Sequence, residues 1–243
     1  MIGVYDYTVI LTYASLLSAS AGVVASLLDG GHPYIATFFL LFCGLFDGFD
    51  GKVARLKKDR SSVSRRFGIQ IDSLSDLVAF GVLPVCIGIS FLRTSGFFRE
   101  IMMSAAGSVW YYSLLKILFY AILLLYVLAA MIRLAYYNVT EEDRQQVETG
   151  DRKVYTGLPV TTSSLLLPAI VFLRYFLKEI NPTFDTVLTV VYVAAIVVLG
   201  ILFLAKIPVK KPGLRGIIIL ISIGVLEAAA IAVIVVWHKL SHS

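Results

Sequence analysis

Long apolar segments dominate this sequence and constrain its fold more than any other feature. A helix needs about 20 apolar residues to cross the hydrocarbon core of a bilayer. Seven segments reach that length, at 7–28, 33–55, 68–92, 113–138, 158–178, 183–205 and 214–238. Polar breaks such as LRTSG and KIPVKKPGLRG separate them. We therefore predict an all-α polytopic membrane protein.

The composition agrees with this prediction. Hydrophobic residues make up 58% of the 243 residues and charged residues 15%, whereas soluble domains are about 45–50% apolar and about 25% charged. The net charge of +5 does not indicate a nucleic-acid partner, because basic residues of membrane proteins gather in cytoplasmic loops. Cys43 and Cys86 lie in apolar segments without metal-ligand spacing, so we expect buried thiols.

The basic residues predict the orientation in the membrane. Twelve lysines and arginines lie in the breaks after the second, fourth and sixth segments, and five lie towards the opposite side, at Arg93, Arg99, Arg174, Lys178 and Lys239. Because basic loops stay in the cytoplasm, we expect the region around residues 45–66 to face the cytoplasm. The first residues lack the features of a cleaved signal peptide, which predicts an integral protein of the cell inner or plasma membrane.

Four aspartates stand out against this apolar background. Asp47 and Asp50 end the second segment within the sequence LFDGFDGKVAR, and Asp72 and Asp76 lie near the start of the third. A charge in hydrocarbon costs several kcal/mol and usually marks a functional site. Spacings of three and four residues place each pair on one helix face. A short basic connection makes the two helices antiparallel neighbours, so the four carboxylates are expected to converge.

Such a cluster predicts a metal site. Carboxylates without counter-charges repel each other, and Mg²⁺ or Mn²⁺ relieves this because both prefer oxygen ligands. A pair of these ions can hold the phosphate oxygens of a substrate. Small residues on the same faces, Gly51, Ala54 and Gly68, leave room for a bulky ligand, and Arg55 suits a diphosphate.

The pattern Asp47-x2-Asp50-Gly51-x2-Ala54-Arg55, followed by Gly68-x3-Asp72-x3-Asp76, resembles the signature of the CDP-alcohol phosphatidyltransferases. These integral membrane enzymes join a CDP-activated lipid to an alcohol and release CMP. Twelve residues separate Arg55 from Gly68, about four more than is usual in the family, and we expect a longer cytoplasmic loop to absorb them.

The resemblance also implies roles for single residues. Asp76 would be the general base that takes the proton of the acceptor hydroxyl. The metal ligands, for two ions of Mg²⁺ or Mn²⁺, would be Asp47, Asp50, Asp72 and Asp76. The residues that bind the nucleotide of the CDP-lipid would be Asp47, Gly51, Ala54, Arg55 and Gly68. The family further implies a homodimer.

Three further stretches resemble the phosphatidylserine synthase branch, namely DSLSDLVAFGVLPV, RLAYYN and YTGLPVTTSS. The donor would then be CDP-diacylglycerol and the acceptor L-serine. Arg133 is the candidate for binding the serine carboxylate; the alternative is an arginine that reaches the interface or a lipid phosphate. This resemblance covers residues 1–210, expected to form one membrane domain, and leaves 211–243 as an additional C-terminal segment.

The same sequence features are compatible with other functions. A sister enzyme would use glycerol 3-phosphate or inositol phosphate and would need more cationic residues than Arg133. A cation transporter would hold its acids near the bilayer midplane on broken helices, and a membrane scaffold would need no acids at all. Because the aspartates lie at helix ends beside Arg55 and a basic loop, the sequence favours the transferase.

Overall fold

A computed structural model describes residues 3–28, 31–57, 59, 61–103, 110–147 and 154–210, and five isolated positions between 222 and 233. Its α-helices are α1 (Ile10–Leu27), α2 (Pro33–Leu56), α3 (Ser62–Asp76), α4 (Leu83–Thr94), α5 (Gly96–Met103), α6 (Trp110–Val147), α7 (Ser163–Ile180) and α8 (Thr183–Leu204). A π-helical segment, Leu77–Val82, joins α3 to α4, and a 3₁₀ turn, Val160–Thr162, precedes α7. Two short antiparallel strands, β1 (Val154–Thr156) and β2 (Pro208–Lys210), complete the described chain.

The helices confirm an all-α polytopic membrane fold. Within the described residues, six helical segments are long and apolar enough to cross a bilayer, and they coincide with the first six predicted segments. Helices α3 and α4, with the π-helical segment between them, form one span, 62–94. The predicted seventh segment, 214–238, lies outside the described residues apart from the isolated positions.

The connection between α2 and α3 differs from the prediction. The expected long loop is wrong, because Ser62–Phe67 already belong to α3. Ser61 caps this helix: its Oγ accepts a hydrogen bond from the Ser64 N–H at 3.1 Å, which satisfies one of the donors that every helix start leaves without a partner. Only residues 57–61 therefore connect the two acidic helices.

Pro84 accounts for the irregular turn between α3 and α4. A proline has no N–H, so the carbonyl of Phe80, four residues earlier, loses its usual donor. The Tyr126 hydroxyl donates to that carbonyl at 2.8 Å. The Leu83 N–H bonds the Val78 carbonyl, five residues back, as a π-helix requires. The wide turn therefore begins directly after Asp76.

A buried ion pair fixes the other end of the bundle. Arg174 lies 2.6 Å from Asp185 and donates to the Thr94 hydroxyl at 3.3 Å. The Gly96 N–H donates to the same aspartate at 3.0 Å. Thr94 is 22 residues beyond Asp72 along one helical span, about 33 Å at 1.5 Å per residue. This ion pair thus ties α4, α7 and α8 together far from the acidic cluster.

We expect Gly44→Ala to destabilise the bundle. A Cβ at position 44 would overlap the Oγ of Ser164 in α7 and lie 2.8 Å from its Cβ, so α2 and α7 would have to separate, at a cost of about 1–3 kcal/mol. Gly48→Ala, one turn later, is the matched control because its Cβ would meet no atom within 4 Å. The thermal unfolding midpoint in detergent should fall for the first variant and stay level or rise for the second. Equal midpoints would show that the contact between α2 and α7 can accommodate an extra methyl group.

Candidate metal and nucleotide site

The carboxylates of α2 and α3 approach one another beside α1, the helix that packs against both. Single carboxylate oxygens of Asp47, Asp50 and Asp72 lie within 4.8 Å of one another. Asp50 is buried, with 9% of its surface exposed, and the other two are half-buried. We call these three residues the carboxylate cluster. It is the convergence that helical spacing predicted.

Asp76 lies one helical turn beyond Asp72 and is half-buried. It is close enough to interact electrostatically with all three members of the carboxylate cluster. It is not, however, among the oxygens that meet within 4.8 Å. The structure therefore places it next to the cluster, at the point where the α-helix gives way to the π-helical segment.

The donor set of this cluster fits a divalent cation. Among the described side chains, no lysine or arginine forms an ion pair with the four aspartates. Negative groups taken out of water need a counter-charge, and hard oxygen donors suit Mg²⁺ or Mn²⁺. The carboxylate cluster can therefore bind a metal ion.

One face beside the cluster is open. A Cβ at Gly48 or Gly51 would meet no atom within 4 Å, which leaves space for a ligand to approach the α2 backbone. Ala54 and Gly68 are half-buried. Arg55 belongs to α2, and its side chain lies outside the part of the structure that is described.

The N-terminal segment contacts the C-terminal end of α2, the end that is predicted to face the cytoplasm. The sequence did not indicate this contact. The Lys57 ammonium donates to Asp6 at 2.8 Å, and the Thr8 N–H donates to the same carboxylate at 2.9 Å. The hydrogen bond from Lys57, with those from Thr8, holds the pKa of Asp6 well below its usual range. Lys57 is therefore paired within the chain, and this contact ties the N-terminus to the helix that carries Asp47 and Asp50.

Arg133 lies inside the bundle, with 5% of its surface exposed. Its Nε donates to the Leu158 carbonyl at 3.2 Å, and its guanidinium lies 5.4 Å from the centre of the Tyr137 ring. Gly157 precedes this carbonyl in a left-handed conformation, with φ +83°, and a Cβ there would lie 3.0 Å from the Ala205 carbonyl oxygen. The arginine is thus held by protein rather than extended towards the interface.

The helix that carries Arg133 also contacts the acidic helix. Asn138 of α6 donates from its amide to the Ser73 hydroxyl at 2.7 Å, and Ser73 directly follows Asp72. In the sequence, Asn138 stands out only as part of the RLAYYN stretch, and Ser73 does not stand out at all. The sequence does show a serine next to each aspartate of α3, but the spacing of these serines does not reveal which residues they contact.

Comparison with known proteins adds independent evidence. A family model described as CDP-alcohol phosphatidyltransferase matches residues 8–242. A CDP-diacylglycerol–serine O-phosphatidyltransferase of Helicobacter pylori is 27% identical over 80% of this chain and 70% of its own length. The Saccharomyces cerevisiae enzyme of that name is 33% identical over 67% of this chain and 51% of its own length. An archaetidylserine synthase of Methanothermobacter thermautotrophicus is 32% identical over 70% of this chain and 60% of its own length.

The match thus spans about half to two thirds of the length of two of these relatives. No solved structure matches the chain. The family model nevertheless covers nearly all of the sequence, including the carboxylate cluster, Asp76 and the open glycine face of α2. The chain belongs to the CDP-alcohol phosphatidyltransferase family.

Proposed function

We propose that this chain is a CDP-diacylglycerol–serine O-phosphatidyltransferase, which transfers the phosphatidyl group of CDP-diacylglycerol to L-serine and releases CMP. The carboxylate cluster carries the proposal, because it lies in the membrane domain next to an open face of α2. The names of the Helicobacter and Saccharomyces relatives support serine as the acceptor.

The aspartates would hold the ions of this reaction. We propose two ions of Mg²⁺ or Mn²⁺, with Asp47, Asp50 and Asp72 as ligands and Asp76 at the edge of the site. When bound, such ions neutralise phosphate charge and stabilise the departing nucleotide. The negative charge of the four aspartates attracts cations to the site, and their oxygen ligands favour Mg²⁺ or Mn²⁺.

The remaining residues have separate roles. Gly51, Ala54 and Gly68 would admit the cytidine and diphosphate to the α2–α3 face, and Arg55 would pair with the diphosphate. Asp76 would accept the proton of the serine hydroxyl, whose oxygen forms a bond to the phosphatidyl phosphorus. The bond from that phosphorus to the CMP oxygen breaks, and the proton stays on Asp76 until it reaches water.

Arg133 would bind the serine carboxylate. It is a buried arginine within a membrane span, and such residues are usually functional. It lies five residues, about 7.5 Å along the helix, from Asn138, which contacts the acidic helix directly. A buried cation on the helix that also contacts α3 supports this proposal, because an amino-acid acceptor needs a cation for its carboxylate.

We expect Arg133→Gln to raise the KM for serine about tenfold or more, because a charged hydrogen bond to the carboxylate is lost. Glutamine retains a donor for the Leu158 carbonyl, so the fold should persist. The KM for CDP-diacylglycerol should change little. Arg144→Gln is the matched control on the same helix, since Arg144 pairs with Glu141. An unchanged KM for serine in the Arg133 variant would remove this residue from the acceptor site.

A panel of acceptors tests the proposed substrate. CMP release from CDP-diacylglycerol should require L-serine, and glycerol 3-phosphate and inositol phosphate should give no release above the background without acceptor. Release with either phosphorylated alcohol, and not with serine, would instead assign the chain to a sister enzyme of the family.

The archaetidylserine synthase relative favours a second candidate donor, since its identity of 32% nearly equals that of the Saccharomyces enzyme. In this alternative the acceptor is still serine, and the donor is a CDP-activated archaetidyl lipid in place of CDP-diacylglycerol. Offering both CDP-lipids at equal concentration, with serine, distinguishes the two by their relative kcat/KM.

We also propose an arrangement for the protein in its membrane. The excess of basic residues supports a cytoplasmic site, and the family resemblance supports a homodimer with a membrane domain of residues 1–210 and an additional segment, 211–243. Mass measurement in detergent should give twice the chain mass of 26.7 kDa. A monomeric mass with full activity would contradict the dimer.

A further inference from the structure

The acidic helix α3 shows an ordered arrangement of polar residues around its axis. Successive residues of a helix differ by about 100°, so Asp72 and Asp76 share one face. Ser73 lies on one flank of that face and Ser75 on the other. Leu74 lies opposite the acids and is 63% exposed. The two serines therefore mark both sides of the acidic face.

Each serine is bound to a different neighbouring helix. On one flank, Asn138 of α6 donates to Ser73 Oγ at 2.7 Å. On the other, the buried Ser75 donates to the Thr12 carbonyl of α1 at 3.2 Å. The Thr12 hydroxyl in turn lies 3.5 Å from Asp50 Oδ2, so α1 contacts both acidic helices.

Such a pair of contacts resists rotation of α3. A carboxylate lies about 5–6 Å from the helix axis, so a rotation of about 10° displaces it by about 1 Å. Functional groups need to be held within about 0.5 Å of their productive positions. Neither serine belongs to the proposed ligands, and neither hydrogen bond is needed for a helix to form.

We propose that Ser73 and Ser75, held by Asn138 and Thr12, are positioning residues that fix the rotation of α3 and so direct Asp72 and Asp76 towards the carboxylates of α2. This inference rests on the proposed function for its catalytic consequence, and on the geometry alone for metal binding. Residues that orient metal ligands typically change metal affinity or activity by about 10–100-fold when replaced.

The test compares Ser73→Ala with Ser73→Thr, which keeps the hydroxyl. Mn²⁺ binding to purified protein is measured by electron paramagnetic resonance, and the kcat for CMP release is measured separately. Ser73→Ala and Asn138→Ala should each weaken Mn²⁺ binding and lower kcat by about tenfold, whereas Ser73→Thr should stay near wild type. The double variant should lose no more than either single variant, because both remove the same hydrogen bond.

Ser20→Ala is the matched control. Its hydroxyl is exposed on α1 and bonds only the Leu16 carbonyl of its own helix, so Mn²⁺ binding and kcat should not change. Wild-type Mn²⁺ affinity in the Ser73→Ala variant would overturn the inference. If the unfolding midpoint of that variant falls while its Mn²⁺ affinity stays unchanged, the hydrogen bond serves stability alone. Mn²⁺ binding by wild type without CMP release would refute the proposed function alone, since the affinity comparison would still decide the positioning role.

Discussion

Asp76→Asn is expected to lower CMP release at least about 100-fold, the usual contribution of a general base. Asparagine has the size of aspartate and forms similar hydrogen bonds, but it cannot take the proton of the serine hydroxyl. The carboxylate cluster of Asp47, Asp50 and Asp72 stays complete in this variant. Nucleotide binding should therefore persist while turnover is lost, and single-turnover kinetics with a CDP-lipid binding assay measures both.

Asp59→Asn is the matched control for this variant. Asp59 is exposed in the connection between α2 and α3, so the Asp59→Asn variant should retain wild-type turnover. If Asp76→Asn keeps more than half of the wild-type rate, another group must accept the proton. A non-catalytic scaffold makes the same prediction for both variants, namely no change.

Asp50→Asn is expected to have a still larger effect, about 10³-fold on turnover, because metal assistance contributes several kcal/mol to such displacements. Asp50 is the most buried member of the carboxylate cluster. Mn²⁺ should raise the unfolding midpoint of wild type, since a ligand that binds only the folded state stabilises it. The variant should lose most of this stabilisation.

The same variant has an opposite effect in the absence of metal. Removing one of three neighbouring carboxylates reduces their repulsion, so with chelator present the unfolding midpoint should be equal to or above that of wild type. Glu142→Gln, an exposed acid on α6, is the control and should match wild type with and without metal. A variant that keeps both Mn²⁺ stabilisation and turnover would show that the ions bind elsewhere.

Much of the fold follows from local properties of the sequence. Apolar length is enough to predict six spans, because each helix must satisfy its own backbone in the bilayer. Helical spacing is likewise enough to bring Asp47, Asp50 and Asp72 together, given the short connection between α2 and α3. Gly51 was predicted to leave space, and the structure shows that space open.

Other features depend on contacts between distant residues. In the π-helical segment the Phe80 carbonyl accepts a hydrogen bond from the Tyr126 hydroxyl, 46 positions away, and the β1–β2 pairing joins residues more than 50 positions apart. The hydrogen bond between Asn138 and Ser73 links two residues that lie 65 positions apart in the sequence. No periodicity in one sequence identifies such partners, so the residues that support the acids emerged only from the structure.

The most direct test measures both products of the proposed reaction. Purified protein is given CDP-diacylglycerol, L-serine and Mn²⁺, and phosphatidylserine and CMP are quantified together, with parallel samples containing chelator. We predict equal amounts of the two products and loss of both on chelation. Ion flux through proteoliposomes without any CMP release, under every divalent cation and acceptor, would contradict the transferase and favour a transporter that uses the same aspartates.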